Sequence, residues 1–405
     1  MNAEEILATA PERIERHRKA DATVKVTAPD GKPLAGAEVR VEQLDHEFLF
    51  GCNIFPLFSY KDAEHETYGR EFASLLNYAT LPFYWGGYER EPGQKGAAHC
   101  ERLARWCREH GIATKGHPLV WHEVYPKWAP ADPDEARAKL KERVAEIVAQ
   151  FAGLIDRWDV VNEATVSQRF ENGVGNWAKR DGAAKLVGEA LDWARGAGPK
   201  AMLLYNDFNV GPDFEKLVGD LLAARKPVDA IGIQSHMHVA EWPLERAWQV
   251  CETYARFGKP LHFTELTVLS GRHKDPDDKD WHCVRDDWGS TLDGEARQAD
   301  YVPKLYTLLF SHPAIEAITW WDFMDGGWQG APAGLVRKDL TPKPAYERLL
   351  ERVKGKWWTK ARATTDARGE CVVRGFRGKY RVTVGTRSLS FTLGRTANVW
   401  PVSVG

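Results

Sequence analysis

Two short apolar runs, each followed directly by a glutamate, constrain the fold of this chain more than any other feature. Residues 158–161 (WDVV) precede Asn162 and Glu163, and residues 260–264 (PLHFT) precede Glu265. Such runs are typical of strands that are buried on both faces. In an α/β barrel, functional side chains lie at the C-terminal ends of these strands. The pattern therefore predicts that Glu163 and Glu265 meet at one end of a parallel barrel.

A pair of glutamates in this position suits the hydrolysis of a glycosidic bond. One carboxyl group must be protonated to assist the leaving oxygen, and the other must be ionised to attack or stabilise the anomeric carbon. Glu163 taken alone fits a helix cap or a salt bridge at the barrel rim equally well. The second glutamate, Glu265, favours the catalytic interpretation.

Strand and helix patterns alternate between residues 47 and 354, which predicts a (β/α)8 barrel rather than an open doubly wound sheet. The predicted strands are residues 48–52, 78–81, 114–118, 158–161, 202–205, 230–234, 261–264 and 317–320. The predicted helices are residues 99–110, 134–152, 182–196, 214–224, 244–257 and 295–310. No glycine-rich phosphate-binding loop opens any of these helices, which argues against a nucleotide cofactor. Hydrolysis of a glycosidic bond implies no other cofactor.

Both ends of the chain alternate apolar and polar residues and predict one small β-domain. Residues 3–19 predict a helix, and residues 23–43 predict a hairpin around Asp30 and Gly31. Residues 371–373, 380–384 and 389–393 predict further strands. Neither end has enough strands for a stable sandwich, so the two ends are expected to meet. The predicted division is 1–46 and 355–405 for the accessory β-domain and 47–354 for the barrel.

Composition limits the classes of partner. A net charge of −2 over 405 residues argues against nucleic acid, and no apolar run approaches the ~20 residues that cross a bilayer. A monomer without a membrane partner is expected. The first 21 residues lack the apolar segment of a signal peptide, which leaves open an intracellular protein or a secreted protein whose signal has been removed.

The six cysteines show no zinc-like spacing: Cys52, Cys100, Cys107, Cys251, Cys283 and Cys371. Buried free thiols are expected, with a structural disulfide as the alternative. His117 and His122 raise the question of a metal site. Because no acidic ligand motif accompanies them, no metal is expected there.

Six stretches, in order along the chain, resemble the family 10 glycoside hydrolases, the family of retaining endo-β-1,4-xylanases. They are GHPLVWH (116–122), WDVVNEA (158–164), LLYNDFNV (203–210), GIQSH (232–236), FTEL (263–266) and TWWDFMDGGW with KPAY (319–346). The resemblance covers roughly residues 48–353. It implies a barrel that cleaves β-glycosidic bonds in plant-type polysaccharide or oligosaccharide, with xylan or decorated xylan first, by double displacement.

The resemblance also implies roles for individual residues. Glu163 corresponds to the general acid/base and Glu265 to the nucleophile. The candidate substrate-binding residues are His117, Trp121, Asn162, Tyr205, Gln234, His236, Trp321 and Trp328. The chemistry of the side chains agrees, because Asn162 can bond a sugar 2-hydroxyl and flat tryptophan rings suit sugar faces. Gln234 and His236 lie two apart on one strand and therefore face the same side.

Two departures from the family pattern bear on specificity. After its second strand the family carries a TxENxMKW-type segment whose Glu, Asn and Lys grip the glycone sugars, whereas residues 82–87 here read PFYWGG. Phe83 and Trp85 are therefore expected to replace polar contacts by aromatic surface, with weaker activity on linear xylan than on short or decorated substrates. Thr267 replaces an Asp after Glu265, and a hydroxyl supports a protonated His236 less well than a carboxylate does.

Other functions stay open at this point. A glycosidase of different specificity would act on short or branched substrates. A non-hydrolytic carbohydrate-binding protein would keep the barrel, but it has no need of both Glu163 and Glu265. The terminal β-domain as a sugar-binding module is a further alternative, supported by Phe376, Tyr380 and Trp400, and a small hydrophobic core accounts for these aromatic residues equally well.

Overall fold

The computed structural model describes residues 1–59, 61–278, 284, 285, 287–396 and 398–404. Its N-terminal segment consists of two short helices and two strands. The elements are α1 (Ala3–Ala8), α2 (Ala10–Arg18), β1 (Lys19–Thr27) and β2 (Glu38–His46). The single helix expected over residues 3–19 is wrong, because Thr9 ends α1 and begins α2. Pro11 lacks the N–H that would extend the hydrogen-bond ladder of α1.

Eight parallel strands close into a barrel in which β10 pairs with both β9 and β3. They are β3 (Leu49–Asn53), β4 (Tyr78–Pro82), β5 (Ala113–His117), β6 (Arg157–Asn162), β7 (Met202–Asp207), β8 (Ala230–Met237), β9 (Leu261–Val268) and β10 (Ile315–Trp320). All eight predicted strands are confirmed, with shifts at their ends. Every residue of β9 is buried, because one strand face fills the barrel and the other lies under the helices.

Helices form the outer layer of the barrel and connect its strands. They are α3 (Asp62–Leu75), α4 (Trp85–Tyr88), α5 (Ala97–Glu109), α6 (Pro133–Gln150), α7 (Gly173–Asp181), α8 (Ala183–Ala197), α9 (Pro212–Ala223), α10 (Leu244–Ala255), α11 (Leu292–Ser311) and α12 (Pro344–Leu350). The six predicted helices correspond to α5, α6 and α8–α11. The predicted (β/α)8 barrel is therefore confirmed.

The C-terminal segment contributes five strands to two small sheets. They are β11 (Lys360–Thr364), β12 (Glu370–Phe376), β13 (Gly378–Val384), β14 (Arg387–Leu393) and β15 (Asn398–Ser403). One sheet has the order β12-β1-β15 and the other β11-β2-β13-β14. Each N-terminal strand is thus hydrogen-bonded on both edges to strands from the other end of the chain. This confirms the accessory β-domain formed from both termini, while its exact boundaries stay a prediction.

The predicted hairpin over residues 23–43 is wrong, because β1 and β2 belong to different sheets. The turn itself forms, and the N–H of Leu34 donates to the carbonyl of Val26 at 2.9 Å. At Gly36, with φ +72°, the chain then crosses to the second sheet. Alternation along a strand indicates which face is buried, and it does not indicate the partner strand.

The five cysteines that the structure describes are free and buried, as expected: Cys52, Cys100, Cys107, Cys251 and Cys371. Cys283 lies outside the described residues. The aromatic residues Tyr380 and Trp400 are buried in the core between the two small sheets, together with aliphatic residues. Within the described part of the chain, no helix combines the length and the apolar character that a membrane crossing needs.

Candidate active site

Glu163 follows the last residue of β6 and has a left-handed backbone conformation, with φ +56°. This conformation costs a residue other than glycine about 1–3 kcal/mol, so the surrounding structure must hold it in place. The N–H of Glu163 donates to the carbonyl of Asn206 at 2.8 Å. Trp121 Nε1 donates to one carboxylate oxygen at 3.0 Å, and Gln234 Nε2 donates to the other at 2.9 Å. The backbone and both oxygens of Glu163 are therefore fixed.

Glu265 lies within β9, at an irregularity in its pairing with β8. Asn206 Nδ2 donates to its Oε1 at 2.7 Å, and His236 Nε2 lies 3.1 Å from its Oε2. His117 Nε2 is 3.7 Å from Oε1. His236 Nδ1 in turn lies 2.8 Å from Thr267 Oγ1. A hydroxyl can donate or accept, so Thr267 orients the His236 ring without fixing its charge.

An amide network joins the two glutamates. Asn162 Oδ1 accepts hydrogen bonds from Asn206 Nδ2 at 2.8 Å and from Gln234 Nε2 at 3.1 Å. Asn206 therefore bridges Asn162 and Glu265, while Gln234 bridges Asn162 and Glu163. Because the protein uses the oxygen of Asn162, its Nδ2 group is the part of the side chain left to donate to a bound molecule.

The two carboxyl groups are driven towards opposite protonation states. Burial, and then the negative charge of Glu265, raise the pKa of Glu163 to about 8. Burial would also raise the pKa of Glu265, but the charge of His117 and the hydrogen bond from His236 outweigh it and lower that pKa. A protonated carboxyl group beside an ionised one is what acid-assisted nucleophilic attack requires.

A buried ion pair supports His117 from behind. Lys115 Nζ and His117 Nδ1 lie 2.5 Å and 2.8 Å from the same oxygen of Asp159. Burial opposes ionisation of Asp159, but the charges of Lys115 and His117 lower its pKa. The Asp159 carboxylate accepts from the Nδ1–H of His117, which directs Nε2 towards Glu265.

Aromatic rings lie against the same cluster. The ring centroid of Trp321 is 5.2 Å from that of His117 and 5.9 Å from that of His236. The ring of Trp328 is 4.5 Å from that of His236. The structure thus brings Trp321 and Trp328 together with the predicted polar residues at the C-terminal mouth of the barrel.

Two of the predicted substrate contacts, Phe83 and Trp85, are corrected by the structure. Phe83 is fully buried, with its ring 5.0 Å from those of both Phe151 and Trp158. Trp85 is also buried, and its Nε1 donates to Glu89 Oε2 at 3.1 Å. Both side chains pack into the barrel wall, because the chain turns into the short helix α4 after Tyr84.

Tyr84, between these two residues, is the member of the segment that reaches the site. Its ring lies 5.4 Å from that of His117 and 5.6 Å from that of Trp121. Burial, and then the charges of Glu265 and Glu163, raise the pKa of Tyr84 well above its ordinary value. The phenol is therefore neutral and can donate a hydrogen bond. The sequence placed Tyr84 in the right segment without separating it from its neighbours.

A third correction concerns Tyr205, which is not part of the site although its neighbour Asn206 is. Tyr205 is fully buried, donates its hydroxyl to Asp207 and packs against Phe214. The next residue, Asn206, faces the opposite side and contacts Glu265. Asn206 is paired in register with Asn162, so strand alternation counted from Asn162 identifies it.

One group of side chains has the geometry to hold a cation. Among the residues that the structure describes, His122, Glu123 and Glu163 have ligand atoms within 4.8 Å of one another. Burial lowers the pKa of His122 to about 3, so its ring is neutral. Because this group shares Glu163 with the carboxyl pair, a cation there would compete with the proton on Glu163. His117 is not part of the group.

A closed (β/α)8 barrel with one protonated and one ionised carboxyl group at its strand C-termini fits the class of glycoside hydrolases. The chain belongs to glycosyl hydrolase family 10, whose sequence model matches residues 45–352.

Individual relatives match this chain at low identity. The anti-sigma-I factor RsgI6 of Acetivibrio thermocellus is 27% identical over 398 residues, which are 95% of this chain and 48% of that protein. This chain thus spans about half the length of that relative. The endo-1,4-beta-xylanase B of Thermotoga neapolitana is 27% identical over 337 residues, 76% of this chain and 88% of that protein. A GH10 endoxylanase from a sugarcane soil metagenome has the same fold, with a TM-score of 0.66 at 22% identity over 76% of this chain and 97% of that chain.

Proposed function

We propose that this protein is a retaining glycoside hydrolase that cleaves β-linked plant-type polysaccharide or oligosaccharide, with xylan or a decorated xylan fragment as substrate. The observation that carries the proposal is the hydrogen-bonded network that joins Glu163 and Glu265 at the mouth of the barrel. The opposite directions in which their surroundings shift the two pKa values agree with it. The choice of xylan is supported by the similarity to a protein named endo-1,4-beta-xylanase B in Thermotoga neapolitana.

In the first step, the ionised carboxylate of Glu265 attacks the anomeric carbon and forms a covalent glycosyl ester. The bond to the leaving oxygen breaks as Glu163 gives that oxygen its proton, so the alcohol departs neutral. Asn206 and His236 hold the two oxygens of Glu265, at 2.7 Å and 3.1 Å. These contacts favour the charged form of Glu265 and orient it for attack.

In the second step, Glu163 is ionised and takes a proton from a water molecule that attacks the same carbon. The ester bond breaks, Glu265 leaves as a carboxylate, and two inversions give net retention of configuration. Trp121 and Gln234 donate to Glu163, and both contacts suit the ionised form. Water is the only co-reactant, so the scheme needs no metal and no cofactor.

Substrate binding is assigned to the groups that surround this pair. The free Nδ2 group of Asn162 would bond the sugar 2-hydroxyl, an interaction that strengthens towards the transition state. His117 Nε2 would contact the same sugar. The rings of Trp321 and Trp328 offer flat apolar surfaces to sugar faces.

The glycone side of the cleft would receive one phenol, that of Tyr84, in place of the polar set in the family pattern. Charge-assisted hydrogen bonds contribute about 1.5–3 kcal/mol each, so losing two lowers affinity by roughly 10²–10⁴-fold. We therefore expect kcat/KM on linear xylohexaose to be lower than on short or branched substrates. Equal values across these substrates would contradict this part of the proposal.

Product analysis on a panel of defined β-linked oligosaccharides tests the proposed function, with Glu265→Ala as the control. We expect cleavage by the wild-type protein alone, with the β-anomer formed first in the proton NMR spectrum. Release of the α-anomer would show inversion instead of retention. Binding without product by the wild-type protein would favour a non-hydrolytic carbohydrate-binding protein.

A further inference from the structure

A cavity of about 160 Å³ lies at the opposite end of the barrel from the carboxyl pair. Leu49, Arg157 and Met202, each the first residue of a barrel strand, line one side of it. Arg377 and Arg395, from the turns of the accessory β-domain, line another side. The cavity therefore lies between the N-terminal end of the barrel and the β-domain.

Positive charge exceeds negative charge in the lining of this cavity. The charged lining residues that the structure describes are Arg18, Arg157, Arg377, Arg395, Glu47 and Glu316. Arg377 Nε lies 3.0 Å from a Glu47 oxygen, and Arg395 Nη2 lies 2.7 Å from a Glu316 oxygen. These contacts use both carboxylates, so the guanidinium groups of the lining exceed its carboxylates by two. Arg18 and Arg157 are the two that form no close ion pair among the described residues.

Arg18 is the first of these groups. It is buried, and its Nε and Nη2 atoms donate to backbone carbonyls of Phe310, His312 and Ile315 at 2.5–2.8 Å. Carbonyls satisfy the N–H groups but carry no net charge. Burial, and then the charge of Arg377, lower the pKa of Arg18 to about 9, so it is still positively charged at neutral pH.

Arg157 is the second group. Within the described ranges it forms no ion pair, its Nε is buried without a hydrogen-bond partner, and its nearest ring contact is with Tyr78 at 5.9 Å. His262 lines the same cavity and is 1% exposed, and neither of its ring nitrogens has a hydrogen-bond partner among the described residues. Buried polar groups are nearly always hydrogen-bonded, so these nitrogens are available to donate to a bound molecule.

We propose that this cavity binds a small tetrahedral oxyanion, of the phosphate or sulfate class, between Arg18, Arg157 and His262. A dianion matches the excess of two positive charges in the lining, and the remaining guanidinium N–H groups can form charge-assisted hydrogen bonds to its oxygens. A neutral His262 supplies one further N–H. Because the β-domain covers the cavity, the bound anion stabilises the contact between this domain and the barrel.

Isothermal titration of the full-length protein with inorganic phosphate at pH 7 tests this site, with sodium chloride at matched ionic strength as the reference. We expect saturable binding of one phosphate, competition by sulfate and a rise in Tm that chloride does not give. Arg157→Met should weaken phosphate binding about 10–100-fold, the loss expected for a charge-assisted contact. Arg105→Met, on the exposed face of α5, is the matched control and should bind like the wild type.

Two results would overturn the proposal. The first is a wild-type protein that takes up no phosphate, or whose Tm responds to phosphate and chloride equally; this result needs no variant and so does not depend on variant folding. The second is a folded Arg157→Met protein that binds phosphate with unchanged affinity. Neither result bears on glycoside hydrolysis, because the cavity and the carboxyl pair lie at opposite ends of the barrel.

Discussion

The two ends of the barrel hold buried charge in different ways. At the C-terminal end, the Glu163 and Glu265 oxygens meet donors from neighbouring strands and loops. At the N-terminal end, Arg157 and His262 have buried nitrogens to which no residue in the described part of the chain is hydrogen-bonded. The first end is preorganised, because the protein itself supplies the field that separates the two carboxyl pKa values. The second end leaves its charge to be matched by a ligand.

Removing the proposed nucleophile, Glu265, should have the largest effect on activity at the C-terminal end. Glu265→Ala should lower kcat by about 10⁴-fold or more, on the scale seen when one member of a catalytic unit is lost. Glu109→Gln, at the exposed end of α5, is a control that should keep full activity. A Glu265→Ala protein within tenfold of the wild type would show that this carboxylate is not the nucleophile.

The acid/base group should give a smaller effect that depends on pH. A general acid acts in its protonated form, and with a pKa of about 8 Glu163 stays protonated through neutrality. We expect kcat/KM to fall as the pH rises through about 8, and Glu163→Gln to lower it about 10²–10⁴-fold. The leaving oxygen of an aryl glycoside with a good leaving group needs little protonation. The rate of the first step with such a substrate should therefore fall less in Glu163→Gln. A wild-type kcat/KM that already falls as the pH rises through about 5 would contradict the raised pKa of Glu163.

Asn206→Ala separates positioning from direct catalysis at the same end. Asn206 donates to Glu265 at 2.7 Å, and a hydrogen bond to the ionised form lowers a carboxyl pKa. Its loss should raise the pKa of Glu265, so that activity is lost at a higher pH on the acid side. The readout is the acid limb of kcat/KM. An unchanged limb, with lower activity at every pH, would indicate a merely structural role.

The smallest effects on catalysis should come from residues 83 and 84. Substitution of Tyr84 should mainly change KM, whereas substitution of Phe83 should mainly change the free energy of unfolding. Tyr84→Ala should raise KM, because its ring lies against His117 and Trp121 in the cleft, and it should lower the free energy of unfolding less than Phe83→Ala does. Phe83→Ala should lower the free energy of unfolding by about 3–5 kcal/mol, as for other buried phenylalanines, with KM unchanged. The reverse pattern would place Phe83, and not Tyr84, at the substrate.

The barrel strands and both glutamates could be predicted because a strand buried on both faces leaves a plain pattern, an apolar run that ends in polar residues. Residues 83–85 could not be assigned in the same way. After β4 the chain enters a short helix, and the two-residue period that separates inward from outward side chains no longer applies.

The strand pairing of the β-domain and the charge balance of the cavity also could not be predicted from the sequence. The alternation in β1 and β2 identifies their buried faces, and both partner strands of each lie at the other end of the chain. In the sequence, Arg157 stands before an apolar run, as many surface residues do. That it lies under the β-domain without a close ion pair among the described residues can be recognised only in the folded structure.

Peptide mass spectrometry after incubation with an activated 2-deoxy-2-fluoro-β-xylobioside tests the double-displacement account most directly. The fluorine slows both steps, and a good leaving group restores the first, so the glycosyl ester accumulates. We predict one added fluoroglycosyl group on the peptide that contains Glu265, and none in Glu265→Ala. Labelling of Glu163 instead, or turnover without any labelled carboxylate, would contradict the assignment of the nucleophile.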